Sequence, residues 1–472
     1  MKIFERMERN PQLPIAITAE GNILGEEVLS LSQSLGTSLG HRLVFLLCRN
    51  TPGSYVSYFS LLHAGVVPLL LEASLAPELL QNLADVYHPQ AIFAPRDSDR
   101  IPFLAEYVRM SKKTEIPHEY AFWRSEEETP FLHPALRLLL STSGSTGSPK
   151  LVRLTAKNLD ENASSIVTYL KIDEKERPIT MLPMSYSYGM SILHSHLMQG
   201  AAVILTETSI VEEDFWRLVR TQGVTSLAGV PATYRMLDQL KIQEMELPSV
   251  HTLTQAGGKL PENLHRKFAQ WCENTGRRFY VMYGQTEAAP RMGYLPAEKA
   301  LEKCGSMGIA IPGGELFLRD SDGRKIEEPN IVGEFVYRGP NVAMGYAEKP
   351  SDLQKGDEWH GILYTGDMAK QDEDGFFTIV GRKKRFIKIL GKRVNLDEVE
   401  REVSTWISGS AACAGEDERL EIYIESGETD SSAIRQEVSR RMSIPMNAIH
   451  VHLIDHIPRN ASGKILYKEL HY

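Results

Sequence analysis

Cysteine is scarce in this chain. Its 472 residues hold four, Cys48, Cys272, Cys304 and Cys413, far apart and never as a CxxC pair. That spacing excludes a thiolate zinc cluster and a redox dithiol, and points to reduced thiols in a cytoplasm. Long apolar runs are missing as well: stretches such as Val66-Val67-Pro68-Leu69-Leu70-Leu71 fall far below the roughly 20 residues that cross a bilayer, so no membrane span is expected. The amino terminus, MKIFERMERNPQ, mixes charge with apolar residues and lacks the uninterrupted apolar core of a secretory signal, so it is expected to stay in the mature protein. Nor is there an excess of positive charge. Lys and Arg number 52 against 61 Asp and Glu, a net charge of −9, which leaves the whole molecule no electrostatic reason to seek nucleic acid or an anionic membrane. An anion site must be local. Internal repeats, low-complexity tracts and heptad arrays are absent, which excludes solenoids and coiled coils.

What is present is ordinary for a folded globular protein: 42% hydrophobic and 24% charged residues. The length fits about three domains of about 150 residues, or one large and one small. From Arg42 to Cys48, RLVFLLC reads as a buried strand, followed by a helix over Tyr55 to Ala64 and another apolar run, GVVPLLLEAS. Further strands are expected at Ala91–Ala94, Leu136–Leu140 and Ala201–Thr206, with helical stretches between them. The alternation predicts a mainly parallel α/β sheet. Thr155 is placed to cap a helix whose Leu159, Ala163, Ile166 and Leu170 share one face, and that helix follows a glycine-rich loop. The last ninety or so residues carry their own α+β pattern. Asn395 and Glu398 form a capping box, with Leu396, Val399 and Val403 along one side of a helix. Leu420, Ile422 and Ile424 alternate with Glu421, Tyr423 and Glu425 as a half-buried strand, then Ile434 and Val438 mark a helix before a strand at Ile449–Leu453. The expected division is a large domain over 1–381 and a small one over 382–472, with the joint near Gly381 to Arg385.

The segment richest in chemistry is LLLSTSGSTGSPK, Leu138 to Lys150. A strand ends in a loop where Gly144 and Gly147 permit close backbone approach, Thr142, Ser143, Ser145 and Thr146 offer hydroxyls, and Lys150 adds a cation, a lining suited to phosphate oxygens. A flexible surface turn is the alternative. The GxxxxGK[ST] spacing of a P-loop is absent. At VMYGQTEAAP, Tyr283 offers a face for a nucleobase, Glu287 a hard oxygen for Mg²⁺, and Thr286 a hydroxyl beside it, although a capped strand end reads the same way. In LYTGD, Asp367 can accept both hydrogen bonds of a ribose diol, or simply close a turn. GRKKRFIKILGKR, Gly381 to Arg393, holds seven basic residues and no acidic one; it reads as a solvated face, a nucleic-acid patch or a polyphosphate-handling joint. Near the end, PRNASGK presents Lys464 on a polar loop.

Taken together, STSGSTGSPK, YGQTEA, YTGD, GRKKRFIKILG and NASGK occur in the order seen in adenylate-forming ligases, and the chain resembles that superfamily of acyl-CoA synthetases, adenylation domains and luciferases over nearly its whole length. The resemblance implies a large domain of stacked α/β sheets and a mobile carboxyl-terminal lid. It also implies a reaction in which a carboxylic acid and ATP give acyl-AMP and pyrophosphate, and a thiol, of coenzyme A or of carrier-protein phosphopantetheine, then takes the acyl group. Thr142 to Gly147 and Lys150 would hold phosphates, with Glu287 and Thr142 on Mg²⁺. Tyr283 and the Ala256-Gly257-Gly258 backbone would form the adenine pocket, with Gly284, Gln285 and Thr286 as further nucleotide-binding residues; Asp367 would bind the ribose, and Arg382 would be a second contact to ribose or phosphate. Lys464 would bridge the substrate carboxylate and phosphate, Lys384 would be the hinge, and Lys388 and Gly391 would serve the thiol step.

The chain departs from the pattern at PMSYSYG. Ser187 stands where amino-acid-activating relatives keep an Asp for the substrate ammonium, so an acid without an α-amino group is expected. Tyr186 stands where many acyl-CoA-forming relatives show His, and Tyr186, Ser187 and Tyr188 are read as pocket residues, with simple core packing as the alternative. Amino-acid activation, an amide-forming ligase, a silent nucleotide-binding paralogue and a nucleic-acid binder stand as other readings.

Overall fold

The computed structural model describes residues 1–100, 104, 112–125, 129–141, 150–383, 385–390, 392–407, 409–425, 430–442, 444–459 and 465–470. The chain forms two compact units: Met1–Gly305, Ala310–Glu315 and Arg338–Leu363 make the first, and Ser306–Ile309, Leu316–Tyr337 and Tyr364–Tyr472 the second.

The first unit is built around an eight-stranded sheet. Its order is Tyr346–Ala347, Leu151–Thr155, Leu136–Ser141, Val67–Glu72, Leu43–Cys48, Ala91–Pro95, Tyr120–Arg124 and Lys112–Ile116. Leu43–Cys48 is buried at every residue. Leu43, Phe45 and Leu47 enter one apolar cluster with Tyr87 and Trp123, while Val44, Leu46 and Cys48 enter another with Tyr55 and Phe59. A strand covered on both faces needs apolar side chains in both directions, which is why it reads as an unbroken run. The sheet is mixed rather than mainly parallel. Its centre is parallel, and its outer pairs are antiparallel on both sides.

One of those antiparallel pairs alters the expected setting of the glycine-rich loop. Leu136–Ser141 pairs antiparallel with Leu151–Thr155, so the loop between them turns strand into strand, and the helix Ala156–Leu170 begins only after the second strand. Thr155 does cap that helix. Its Oγ1 accepts the Asn158 N–H at 3.1 Å, and Asn158 Oδ1 accepts the Thr155 N–H at 2.9 Å, a reciprocal cap. Leu159, Ala163, Ile166 and Leu170 are all buried. The strand expected over Ala201–Thr206 is only Val203–Ile204, which joins Pro14–Ile17 and Asn22–Leu24 in a small sheet. A further sheet aligns Ser226–Gly229, Thr252–Gln255 and Arg278–Gly284 in parallel, with Arg291–Leu295 antiparallel at the side. Helices Ala156–Leu170 and Ser187–Gln199 pack on each other.

The second unit holds most of a five-stranded sheet, ordered Lys325–Ile326, Glu315–Arg319, Gly333–Arg338, Ile362–Gln371, Phe377–Arg382. It also holds the hairpin Phe386–Ile389/Lys392–Asn395 and the three-stranded sheet Ser410–Glu416, Arg419–Glu425, Ile449–Ile454. Helices Leu396–Ser404 and Ser431–Met442 cover the last of these with an apolar cluster that includes Val399, Val403, Ile434 and Val438. Asn395 caps its helix, but by accepting the N–H of Asp397 at 3.0 Å, so a box with Glu398 is not what closes it. Arg419–Glu425 is not half-buried: Glu421 and Tyr423 are 4% and 2% exposed. Both are covered through His452, whose Nε2 lies 2.6 Å from Glu421 Oε2 and whose ring stacks on Tyr423.

Candidate active site

The first unit brings the YGQTEA segment and the expected pocket residues together. Strand Arg278–Gly284 ends in a bulge where its pairing with Arg291–Leu295 shifts register. A Cβ on Gly284 would sit 2.2 Å from the Pro290 carbonyl oxygen, so only glycine lets the chain fold back there. The segment that follows is held from outside. Asn341 Nδ2 donates to the carbonyls of Ala288 and Arg291 at 2.6 and 2.8 Å, and Asn162 Nδ2 donates to the same two at 3.4 and 3.0 Å. Both amides are 1% exposed. Asn341→Ala should therefore lower stability by about 1–3 kcal/mol, the usual cost of leaving buried acceptors short of donors. Urea unfolding measures it, and an unchanged midpoint would assign the clamp to Asn162 alone.

Glu287 rides on this clamped segment. Its Oε1 accepts the Tyr346 hydroxyl at 2.7 Å, and among the described residues no other side chain bonds its carboxylate. Burial, with the Glu287 charge beside it, pushes the Tyr346 phenol well above its ordinary value, so it stays a donor. Tyr346 pairs in register with Val152. Lys150, just past the glycine-rich loop, has its Nζ 5.1 Å from the Tyr346 ring centroid and 2.7 Å from Glu348. Lys150, Tyr346 and Glu287 thus form one continuous constellation. Tyr346 was not visible as a site residue, because its role depends on a two-residue strand formed some two hundred residues after its partner.

The Ala256-Gly257-Gly258 turn is built by Gln255, fully buried, whose Nε2 donates to the carbonyls of Ala256 and Gly258 at 3.1 and 2.9 Å. Gly257 has φ +83°, and a Cβ there would lie 2.7 Å from the Tyr186 hydroxyl. The Ala256-Gly257-Gly258 turn and Tyr186 are therefore neighbours. Ser187 Oγ lies 3.2 Å from Thr286 Oγ1, and Tyr188 Oη 2.8 Å from Thr254 Oγ1. Gln285 Nε2 donates to the Tyr283 hydroxyl at 3.3 Å. Tyr186, Ser187, Ala256, Gly257, Tyr283, Gly284, Gln285, Thr286 and Glu287 therefore occupy one region; Tyr188 and Gly258 adjoin it.

In the second unit Asp367 lies opposite Arg382 in the antiparallel pair of Ile362–Gln371 with Phe377–Arg382. Arg382 Nε is 3.8 Å from Asp367 Oδ1. The basic run beyond is not one solvated face. Lys383 pairs with Glu334 at 3.0 Å, and Arg385, 11% exposed in its side chain, is bound by Asp397 and Glu400 and lies over the Tyr467 ring. Lys388 is exposed on the hairpin, its N–H donating to Asp417 Oδ1 at 2.8 Å. Thr142, Ser143, Gly144, Ser145, Thr146, Gly147, Lys384, Gly391 and Lys464 lie outside the described residues.

The sequence profile of the AMP-binding enzyme family matches residues 24–347, more than half of the chain. The chain belongs to the AMP-binding enzyme family. Among similar members, a feruloyl-CoA synthase of an Amycolatopsis species is 29% identical over 469 residues, covering 95% of this chain and 92% of the relative. A 2-succinylbenzoate–CoA ligase of Bacillus cereus is 27% identical over 465 residues, with the same shares covered. The o-succinylbenzoate CoA synthetase of Bacillus subtilis, solved with its acyl-adenylate intermediate, has TM-score 0.79 at 22% identity, covering 99% of this chain and 97% of that one. At that identity the likeness speaks for the fold. Glu287 suits the metal chemistry of such an enzyme. Mg²⁺ is commonly held by one or two carboxylates plus substrate phosphates rather than by a protein cage. Among the described residues no group of three or more His, Cys, Asp or Glu gathers as such a cage, and Glu287 Oε2 is uncommitted there. Among the described helices none is long and apolar enough to cross a membrane.

Proposed function

We propose that this AMP-binding enzyme is an AMP-forming acid–thiol ligase: it converts a carboxylic acid and ATP to acyl-AMP and pyrophosphate, then transfers the acyl group to a thiol with release of AMP. The observation that carries this reading is the Lys150–Tyr346–Glu287 constellation next to the Tyr186–Gly257 contact, in a chain of this family. When the acid carboxylate attacks the α-phosphorus, two anions meet, and preorganised cations and donors must offset the growing charge. Lys150 and the glycine-rich loop supply them for the β and γ phosphates. Glu287 would hold Mg²⁺, which supplies charge neutralisation across the phosphates. The Gln255-braced turn and Tyr283 take the adenine; Asp367 and Arg382 take the ribose. Lys464 orients the acid carboxylate against the α-phosphate.

Ser187 meets Thr286 and carries no charge to pair an ammonium, which supports an acid without an α-amino group over amino-acid activation. The thiol is that of coenzyme A or of a separate carrier protein's phosphopantetheine. The four unpaired cysteines suit a reducing cytoplasm, where ATP and such thiols are available. Pyrophosphate release across short, long, aromatic and amino acids, repeated with each acceptor, tests the reading. Absence of pyrophosphate with every acid overturns it.

Residues 382–472 act as a lid that changes arrangement between the two half-reactions, with Lys384 as its hinge. Lys384→Pro should keep adenylation within a few-fold of normal and stop thioester formation, because a fixed φ restricts the turn. Normal thioester turnover in that variant would remove the hinge.

A further inference from the structure

Beside Tyr188 the first unit contains a small cavity, its wall more apolar than polar, that the reaction as described does not use. It has a volume of about 30 Å³ and lies between helices Ala156–Leu170 and Ser187–Gln199 and the face of the sheet formed by Ser226–Gly229, Thr252–Gln255 and Arg278–Gly284. Ser191, Ser195, Thr252, Thr254, Glu176 and Arg291 are among its lining residues. Arg291 is 3% exposed. Its Nε is buried with no hydrogen-bond partner, and among the described residues no carboxylate forms an ion pair with it. The guanidinium sits over the Tyr188 ring, Cζ 4.1 Å from the centroid, and reaches the Tyr169 side chain as a hydrogen-bond partner. The acid in the cavity wall, Glu176, is already committed to Thr225 and lies 3.6 Å from Arg278.

A buried cation is costly unless an anion and hydrogen bonds compensate it, and an aromatic face returns only part of that cost. The cavity also adjoins residues expected to form the acid pocket. Tyr188 touches both Arg291 and Thr254, and both line the cavity; Tyr186, two residues earlier, lies against the Ala256-Gly257-Gly258 turn. Its volume is that of about two waters, since a site of this kind needs about 10–15 Å³ for each. Two waters are what the two oxygens of a carboxylate would displace, and the planar fork of an arginine is shaped to receive those oxygens.

We propose that this cavity is the distal end of the acid site and that Arg291 is a specificity residue which binds the second carboxylate of a dicarboxylic acid. The proposal rests on the acid-ligase reading, and matched substrates separate the two. Pyrophosphate release is measured for diacid and monoacid partners of similar size: succinate with butyrate, glutarate with valerate, adipate with hexanoate, and terephthalate with 4-methylbenzoate. The wild-type protein is expected to favour one or more diacids over their partners in kcat/KM. Arg291→Met should reverse that preference, losing roughly 100-fold or more on the diacid, chiefly through KM, as expected when a site built for a polar group loses its partner. Arg291→Lys should restore part of the diacid preference, which a purely structural role would not do; thermal melts of both variants establish that they are folded. A wild-type preference for monoacids, or an equal loss on both substrates in folded Arg291→Met, overturns the subsite and leaves the ligase reading standing. No turnover with any acid of either series overturns both.

Discussion

Lys464→Ala is expected to slow acyl-adenylate formation by about 10²–10³-fold, equivalent to about 2.7–4 kcal/mol for one preorganised donor, while thiol attack on supplied acyl-AMP proceeds near its normal rate. The asymmetry follows from when charge develops. During adenylation the acid carboxylate and the α-phosphate, both anionic, approach each other, and a cation between them lowers the barrier more than it lowers the ground state. In the second step the leaving group is AMP and the attacking thiol makes no such demand on that lysine. The described residues that flank the Lys464 stretch are held to each other: Arg459 and Ile465 form an antiparallel bridge, and the Leu466 N–H donates to the Pro458 carbonyl at 2.8 Å. Truncating the lysine therefore removes a charge while these flanking contacts, which do not involve its side chain, remain. Pyrophosphate exchange reads the first half-reaction and single-turnover thioester formation from synthetic acyl-AMP reads the second. Equal loss in both would show that Lys464 acts on the fold of the loop and not on adenylation.

Much of this molecule is legible from local pattern. Leu43–Cys48 is apolar because both faces are covered, and Thr155 with Leu159, Ala163, Ile166 and Leu170 announces a capped, one-sided helix. What local pattern does not carry is which strands pair, and in which direction. The glycine-rich loop looks the same before a helix as inside an antiparallel turn, and only the pairing of Leu136–Ser141 with Leu151–Thr155 separates the two. The same limit hid the supports of the site. Asn162 and Asn341 brace one short segment from positions nearly 180 residues apart in sequence. Tyr346 reaches Glu287 because its strand adds to the edge of the sheet at Val152. Charge misleads for a related reason: Arg385 stands in a basic run, yet Asp397 and Glu400 from the next helix consume it. Alternation likewise predicts a wet face for Glu421 and Tyr423, until His452 arrives from the parallel neighbour to cover both.

Glu287→Gln is expected to reduce adenylation by about 10²–10³-fold, comparable to removing a principal electrostatic contact of the transition state, and to raise the Mg²⁺ concentration needed for half-maximal rate. A hard divalent cation takes anionic oxygen in preference to an amide oxygen, so the substitution weakens the metal site while changing volume little. The surroundings of Glu287 sharpen the expectation. Tyr346 occupies Oε1, and among the described residues Oε2 is uncommitted, while the Asn162 and Asn341 amides keep the segment in place whichever residue stands at 287. Tyr346→Phe is the control. It removes the hydroxyl that orients the carboxylate but keeps the charge, so the rate should fall only about 10-fold, the scale of one hydrogen bond to a charged group, with a smaller shift in the Mg²⁺ requirement. If Glu287→Gln slows the reaction while its Mg²⁺ dependence stays that of the wild type, Glu287 orients the segment and the metal is held elsewhere. If the two substitutions are equally damaging, the hydrogen bond to Tyr346 and not the charge is what the site requires.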